Sequence, residues 1–156
     1  MKVYDLTHTI QNDMPVYPGT EQPKLTTACT IEAVGYRETL LHMFSHTGTH
    51  MDAPAHMLLD GAALDSYPGE KFAGTAVVVD CRERESISLP LLQSYDLDGV
   101  DFVLFCTGWD KKWGSPDYYE GFPCLTADAA AYLATLPLKG CLLYTSPSPR
   151  DRTRSR

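Results

Sequence analysis

Asp101-Phe102-Val103-Leu104-Phe105-Cys106-Thr107 is a continuous apolar run, and Thr126-Ala127-Asp128-Ala129-Ala130-Ala131-Tyr132-Leu133-Ala134 follows it after a stretch rich in turn residues. The run has the length of a strand and the unbroken apolarity of one covered on both faces. In the second segment a threonine suited to capping exposed N–H groups, Asp128 in the first turn and strong helix formers predict a helix. Gly140-Cys141-Leu142-Leu143-Tyr144 then reads as the next strand, so residues 101–144 spell a β-α-β unit. Gly74-Thr75-Ala76-Val77-Val78-Val79-Asp80 repeats the pattern upstream, with a short helix expected over Pro90–Tyr95. The fold class is therefore α/β.

Working back towards the amino end, the apolar period changes. Lys2–Ile10 alternates apolar and polar residues as a strand does, and Asp13-Met14-Pro15-Val16-Tyr17-Pro18-Gly19-Thr20 is a turn or loop fixed by two prolines and a glycine. Lys24–Ala33 and Tyr36–Phe44 read as two further strands broken at Gly35, a hairpin by their spacing. A mixed sheet is expected. There is no internal repeat and no linker long enough to separate domains.

The chain has 156 residues, of which 44% are hydrophobic, which is the size and composition of one ordinary domain. Its net charge of −7 would repel a phosphate backbone, so nucleic acid is not an expected partner. No apolar run approaches the roughly 20 residues of a membrane-spanning helix. The start Met1-Lys2-Val3-Tyr4-Asp5 lacks the apolar stretch of a signal peptide, which points to the cytoplasm. Five widely spaced cysteines without a Cys-x-x-Cys pair suggest reduced, mostly buried thiols rather than disulfides or a thiolate zinc site. Residues 145–156 break abruptly from this composition, with four arginines in the last seven positions and no apolar residue. Such a tail is expected to be disordered. It resembles the translated read-through of a sequencing adaptor found at the ends of metagenomic gene fragments, so we expect a non-native basic tail after an incomplete domain over 1–144.

The chemistry is concentrated in Ser45-His46-Thr47-Gly48-Thr49-His50-Met51-Asp52-Ala53-Pro54-Ala55-His56. Three of the chain's five histidines and an aspartate fall within eleven residues, offering imidazole nitrogens and a carboxylate, the donors that borderline divalent ions favour. On an extended strand His46, His50 and Asp52 would leave the same face and converge on one ion. Gly48 lets the backbone pass close to it, and Pro54 ends regular pairing before His56. A single isolated histidine is usually a packing residue, and His8 and His42 are assigned structural roles on that ground. The cluster is hard to explain as packing and reads as a metal or catalytic site.

This segment matches in full the pattern His-x-Gly-Thr-His-x-Asp-x-Pro-x-His, and on it the chain resembles the cyclase-like metal-dependent hydrolases. That family includes bacterial kynurenine formamidases (arylformamidases) and isatin hydrolases. The likeness extends over residues 1–140 through Asp5-Leu6-Thr7, Met14-Pro15-Val16-Tyr17-Pro18-Gly19, Thr107-Gly108-Trp109 and Phe122-Pro123-Cys124-Leu125-Thr126. It implies a swivelling β/α/β fold. It makes His46, His50 and Asp52 the first metal-binding set, with Asp52 able to bridge a second ion, and His56 the catalytic histidine. Tyr17 stands where formamidases of this family carry a substrate-contacting tryptophan. Trp109 and Trp113 are candidates for a pocket wall or for core packing. The family's later histidine and glutamate lie in a carboxy-terminal stretch without counterpart here, since no histidine follows His56 and Glu120 is the last glutamate.

Mixed N/O ligation suits Zn²⁺ and Mn²⁺ alike, and a divalent ion lowers the pKa of a water ligand from 15.7 to about 7. The expected function is thus metal-dependent hydrolysis of an amide-type C–N bond in a small molecule, an arylformamide such as N-formylkynurenine or a cyclic amide. His56, with an ordinary pKa near 6.5, would move the proton. No Gly-x-Ser-x-Gly elbow supports a serine hydrolase. Alternatives are cyclase, lyase or lactone-hydrolase chemistry at the same centre, or metal binding without catalysis, against which His56 counts. The resemblance also implies tryptophan catabolism. An unblocked sheet edge at Tyr144 invites pairing with another chain, and a homo-oligomer, dimer or tetramer, is expected.

Overall fold

The computed structural model describes residues 4–144. The chain divides into two compact units, the first ending at Ala62 and the second beginning at Ala63. No helix among the described residues is long and apolar enough to cross a membrane. The reading of 145–156 as disordered lies outside the described residues.

The second unit is the parallel part. Strands β3 (Ala76–Asp80), β5 (Phe102–Cys106) and β7 (Gly140–Tyr144) lie side by side with β5 in the middle. Ala76 faces Phe102, which faces Gly140 in turn. Helices α2 (Leu89–Gln93) and α3 (Ala127–Thr135) supply Leu91, Leu92, Ala129 and Leu133 to a core with Val79, Cys81, Ile87, Val103 and Phe105. Each valine, leucine, isoleucine or phenylalanine among them contributes about 1.5–3 kcal/mol by burial. Two-residue strands β4 (Ser86–Ile87) and β6 (Cys124–Leu125) pair in parallel beside the helices.

Asp101 ties the starts of all three long strands together. Its Oδ2 accepts from Thr75 N–H at 2.8 Å, ahead of β3, and its Oδ1 lies 3.0 Å from Lys139 Nζ, ahead of β7. The Thr75 amide, chiefly, and Lys139 hold its carboxyl below the usual aspartate range. Gly74 makes room for this junction, because a Cβ there would stand 2.3 Å from Asp101 Oδ2.

The β-α-β order is as expected, but three details differ. The middle strand β5 is buried or half-buried along its whole length, as expected, but β3 is not covered on both faces, since Val78 is 58% exposed while Val79 is fully buried. Thr126 does not cap α3, because its hydroxyl donates to Ile87 O at 3.3 Å and so links the helix entry to β4. All five cysteines are free, but Cys81 alone is buried. Burial pushes its thiol up to about 11.

In the first unit β1 (Lys24–Cys29) and β2 (Glu38–His42) form an antiparallel hairpin. The expected first strand ends early because Thr30, whose side chain accepts from Ala33 N–H, starts a one-turn helix α1 (Ile31–Val34) that Gly35 closes at φ +84°. The expected strand at Lys2–Ile10 does not form over its described residues 4–10. Their polar groups bond elsewhere: Asp5 accepts from Thr7, and His8 N–H donates to Thr49 Oγ1 at 3.0 Å. The Met14–Gly19 loop forms as expected, with Thr20 N–H donating to Tyr17 O at 2.9 Å.

Candidate metal centre

The histidine segment is not a strand. After β2 the chain runs through turns and bends from Ser45 to Thr49, Gly48 takes φ +64°, and Pro54 opens a short 3₁₀ turn ending at His56. A Cβ on Gly48 would stand 2.9 Å from Met14 Cε, so the bend packs against the loop that carries Tyr17. Met14 is buried, at 1% exposure. Together with the His8–Thr49 bond, this contact laces the amino-terminal segment to the histidine segment.

The bends nevertheless bring the donors together. One ligand atom each from His46, His50 and Asp52 lies within 4.8 Å of the others. Asp52 Oδ1 stands between the imidazoles, 2.6 Å from His46 Nδ1 and 3.3 Å from His50 Nε2. The closer approach lacks the alignment of a hydrogen bond, which leaves His46 Nδ1 buried without a hydrogen-bond partner. His50 Nδ1 lies 2.8 Å from Gly48 O. A carbonyl can only accept, so Nδ1 carries the proton and Nε2 presents its lone pair towards Asp52. The three side chains retain 22%, 21% and 29% exposure, enough for a small molecule to reach them.

Burial, first, and the neighbouring imidazoles lower the His46 pKa, while Asp52 opposes them. The balance favours neutral His46, the form that binds a cation. His56 completes the group, its ring centroid 3.8 Å from that of His46 and tilted by 33°. His56 Nε2 is likewise buried without a hydrogen-bond partner, as is the hydroxyl of Thr47. Each buried polar atom left unpaired costs about 1–3 kcal/mol, a demand that a bound ion or polar ligand meets. Two imidazole nitrogens and a carboxylate fit a divalent metal.

Tyr17 is half-buried on its proline-flanked turn in the same unit. Trp109 and Trp113 belong to the second unit. Trp109 lines a cavity of about 490 Å³ with Asp80, Arg82, Thr107 and Lys112, its indole N–H fixed on Tyr118 O at 2.8 Å. Trp113, half-buried, packs edge-on against Tyr118 at 5.0 Å. Sequence reasoning missed the carbonyl of Gly48.

Comparison with known proteins bears on all of this. The chain is 30% identical over 131 residues to the kynurenine formamidase of Bacillus cereus, covering 83% of this chain and 62% of that enzyme. A similar protein in Bacillus mycoides, also a kynurenine formamidase, matches to the same extent. Among solved structures, a potential metal-dependent hydrolase with cyclase activity matches at TM-score 0.68 and 33% identity, over 90% of this chain and 66% of that one. Isatin hydrolase A from Labrenzia aggregata, bound to benzyl benzoate, matches at TM-score 0.75 and 27% identity, over 88% and 65%. The chain thus spans somewhat less than two thirds of the length of the curated relatives. The family described as "Putative cyclase" matches residues 4–143, and the chain belongs to that family.

Proposed function

We propose that the chain carries the first metal-binding set of a metal-dependent hydrolase that cleaves an amide-type C–N bond, in an arylformamide such as N-formylkynurenine or in a cyclic amide. The observation that carries the reading is the convergence of His46, His50 and Asp52 within 4.8 Å, with the His56 ring stacked 3.8 Å from His46. Kynurenine formamidase and isatin hydrolase relatives support it at the level of reaction class. His46 Nδ1, His50 Nε2 and Asp52 Oδ1 would hold a Zn²⁺ or Mn²⁺ ion. Bound there, such an ion lowers the pKa of water and polarises a carbonyl.

The chain's own residues do the rest. Gly48 O holds His50 in one tautomer and so aims its Nε2. Asp52 places a negative charge beside both imidazoles and keeps the three donors in one cluster. His56 takes a proton at Nε2 from the attacking water and returns it to the departing nitrogen. Tyr17 offers a ring on which an aryl substrate stacks.

In the same reading residues 1–144 are one hydrolase domain, incomplete at its carboxyl end, acting in the cytoplasm as a homo-oligomer in tryptophan catabolism. The cyclase activity associated with the solved relative favours cyclase or lactone-hydrolase chemistry as the second reading. The test is turnover by the zinc- or manganese-loaded chain of N-formylkynurenine, isatin and a simple lactone. Formate or ring-opened product from the first two supports the amide reading. Turnover of the lactone alone supports the second, and no turnover of any of them by a metal-loaded, full-length homologue carrying these residues contradicts both.

A further inference from the structure

The segment from Pro54 to Ala62 closes on itself. Leu58 N–H donates to Pro54 O at 2.9 Å and His56 N–H to Ala53 O at 2.9 Å, which makes the turn carrying His56. Gly61 N–H donates to Leu58 O and Ala55 N–H to Ala62 O, both at 3.1 Å, which brings the far end of the loop back onto the near one. Where they cross, backbone touches backbone. A Cβ on Gly61 would stand 2.4 Å from Pro54 C and 2.5 Å from Pro54 O and Ala55 N. These atoms belong to a proline-fixed turn and cannot swing aside as the end of a side chain could.

The large apolar side chains of this loop do not anchor it. Met57, Leu58 and Leu59 at its tip are 56%, 63% and 101% exposed. Yet His56 is held with its Nε2 buried and without a hydrogen-bond partner, a position that an unrestrained imidazole would leave for water. Beside the ring contact with His46, the closed backbone supplies the restraint.

We infer that Gly61 is a positioning residue for His56: the missing Cβ lets the loop close, and the closed loop keeps the imidazole against His46. This rests on the reading of His56 as the proton-moving group, and the two can fail separately. The probe is diethylpyrocarbonate, which acylates accessible imidazole nitrogens, read histidine by histidine by peptide mass spectrometry on the whole chain. Gly61→Ala is compared with the parent and with Gly69→Ala, where a Cβ meets nothing within 4 Å. Labelling of His56 should rise about tenfold in Gly61→Ala, as for a local opening made easier by one decade. Labelling of His8 and His42 should stay level, and Gly69→Ala should behave as the parent. Hydrogen exchange of the β1 and β2 amides reports whether the variant is folded. In the parent itself the Ala55, Leu58 and Gly61 amides should be protected together, a measurement that stands even if the variant does not fold. Unchanged His56 labelling in folded Gly61→Ala, or an unprotected Ala55 amide in the parent, overturns the inference. Zinc content is read in parallel: a parent chain that holds no zinc removes the metal-centre reading and leaves the labelling to judge the loop.

Discussion

The two units of this chain are built by different means. From Ala63 onward the structure is a three-stranded parallel sheet with two helices over a continuous core, each strand announced by its own apolar run. Among the described residues up to Ala62 the buried ones are Met14, Pro23 and Thr47, and the four residues of the candidate centre sit on a turn, irregular backbone and a 3₁₀ turn. The lesson is that hydrophobic burial shapes the one, whereas backbone contacts and polar demand shape the other. Where burial decides, periodicity reveals the result. Where a glycine's missing Cβ and an orphaned nitrogen decide, only the donor types show.

If that contrast is right, the second unit should be most sensitive to lost volume. Phe105, fully buried in the middle strand, should cost about 3–5 kcal/mol when changed to Ala, read by urea unfolding. A loss below about 1 kcal/mol, the size of a surface change, would mean that the sheet is not the stabilising element. In the first unit the matching change is chemical. His56→Asn should lower kcat by about 10²–10⁴ in a metal-loaded, full-length homologue carrying this segment, while its metal content changes little. Parallel loss of metal would make His56 a ligand instead.

The smallest expected effect lies at the polar edge of the second unit. Arg82 donates from Nε to Asp80 Oδ1 at 2.9 Å, and this side-chain bond, followed by the Arg82 amide, lowers the Asp80 carboxyl to about 2. A carboxyl lowered on folding adds stability that is fully present above its unfolded pKa near 3.9 and is lost as pH falls through about 2. Asp80→Asn should therefore lower thermal stability slightly and by the same amount from pH 7 down to about pH 4, and the difference from the parent should vanish as pH falls to about 2. An equal loss at every pH would show that the pair is held by packing rather than charge.

The sequence made the parallel unit legible because a strand with a covered face must be apolar: the runs at 74–80 and 101–107 and the helix at 126–134 all appear within a residue or two. It did not reveal that β3 leaves Val78 open, since apolarity records what a strand can bury and not what lies over it. In the first unit the donor set was readable from residue types alone. The strand-parity argument for its convergence was not the mechanism, because Gly48 at φ +64° bends the chain between His46 and His50. Lys2–Ile10 misled for the opposite reason. Alternation alone makes no strand without a partner edge, and His8 bonds to a threonine side chain instead.

The central claim is that His46, His50 and Asp52 hold one divalent ion. Equilibrium dialysis of the purified chain against micromolar zinc, followed by elemental analysis, tests it directly. We expect close to one equivalent of zinc in the parent chain and almost none in His50→Ala, with the hairpin amides of both chains equally protected from exchange. A full equivalent retained by folded His50→Ala, or none bound by the parent, would contradict the assignment.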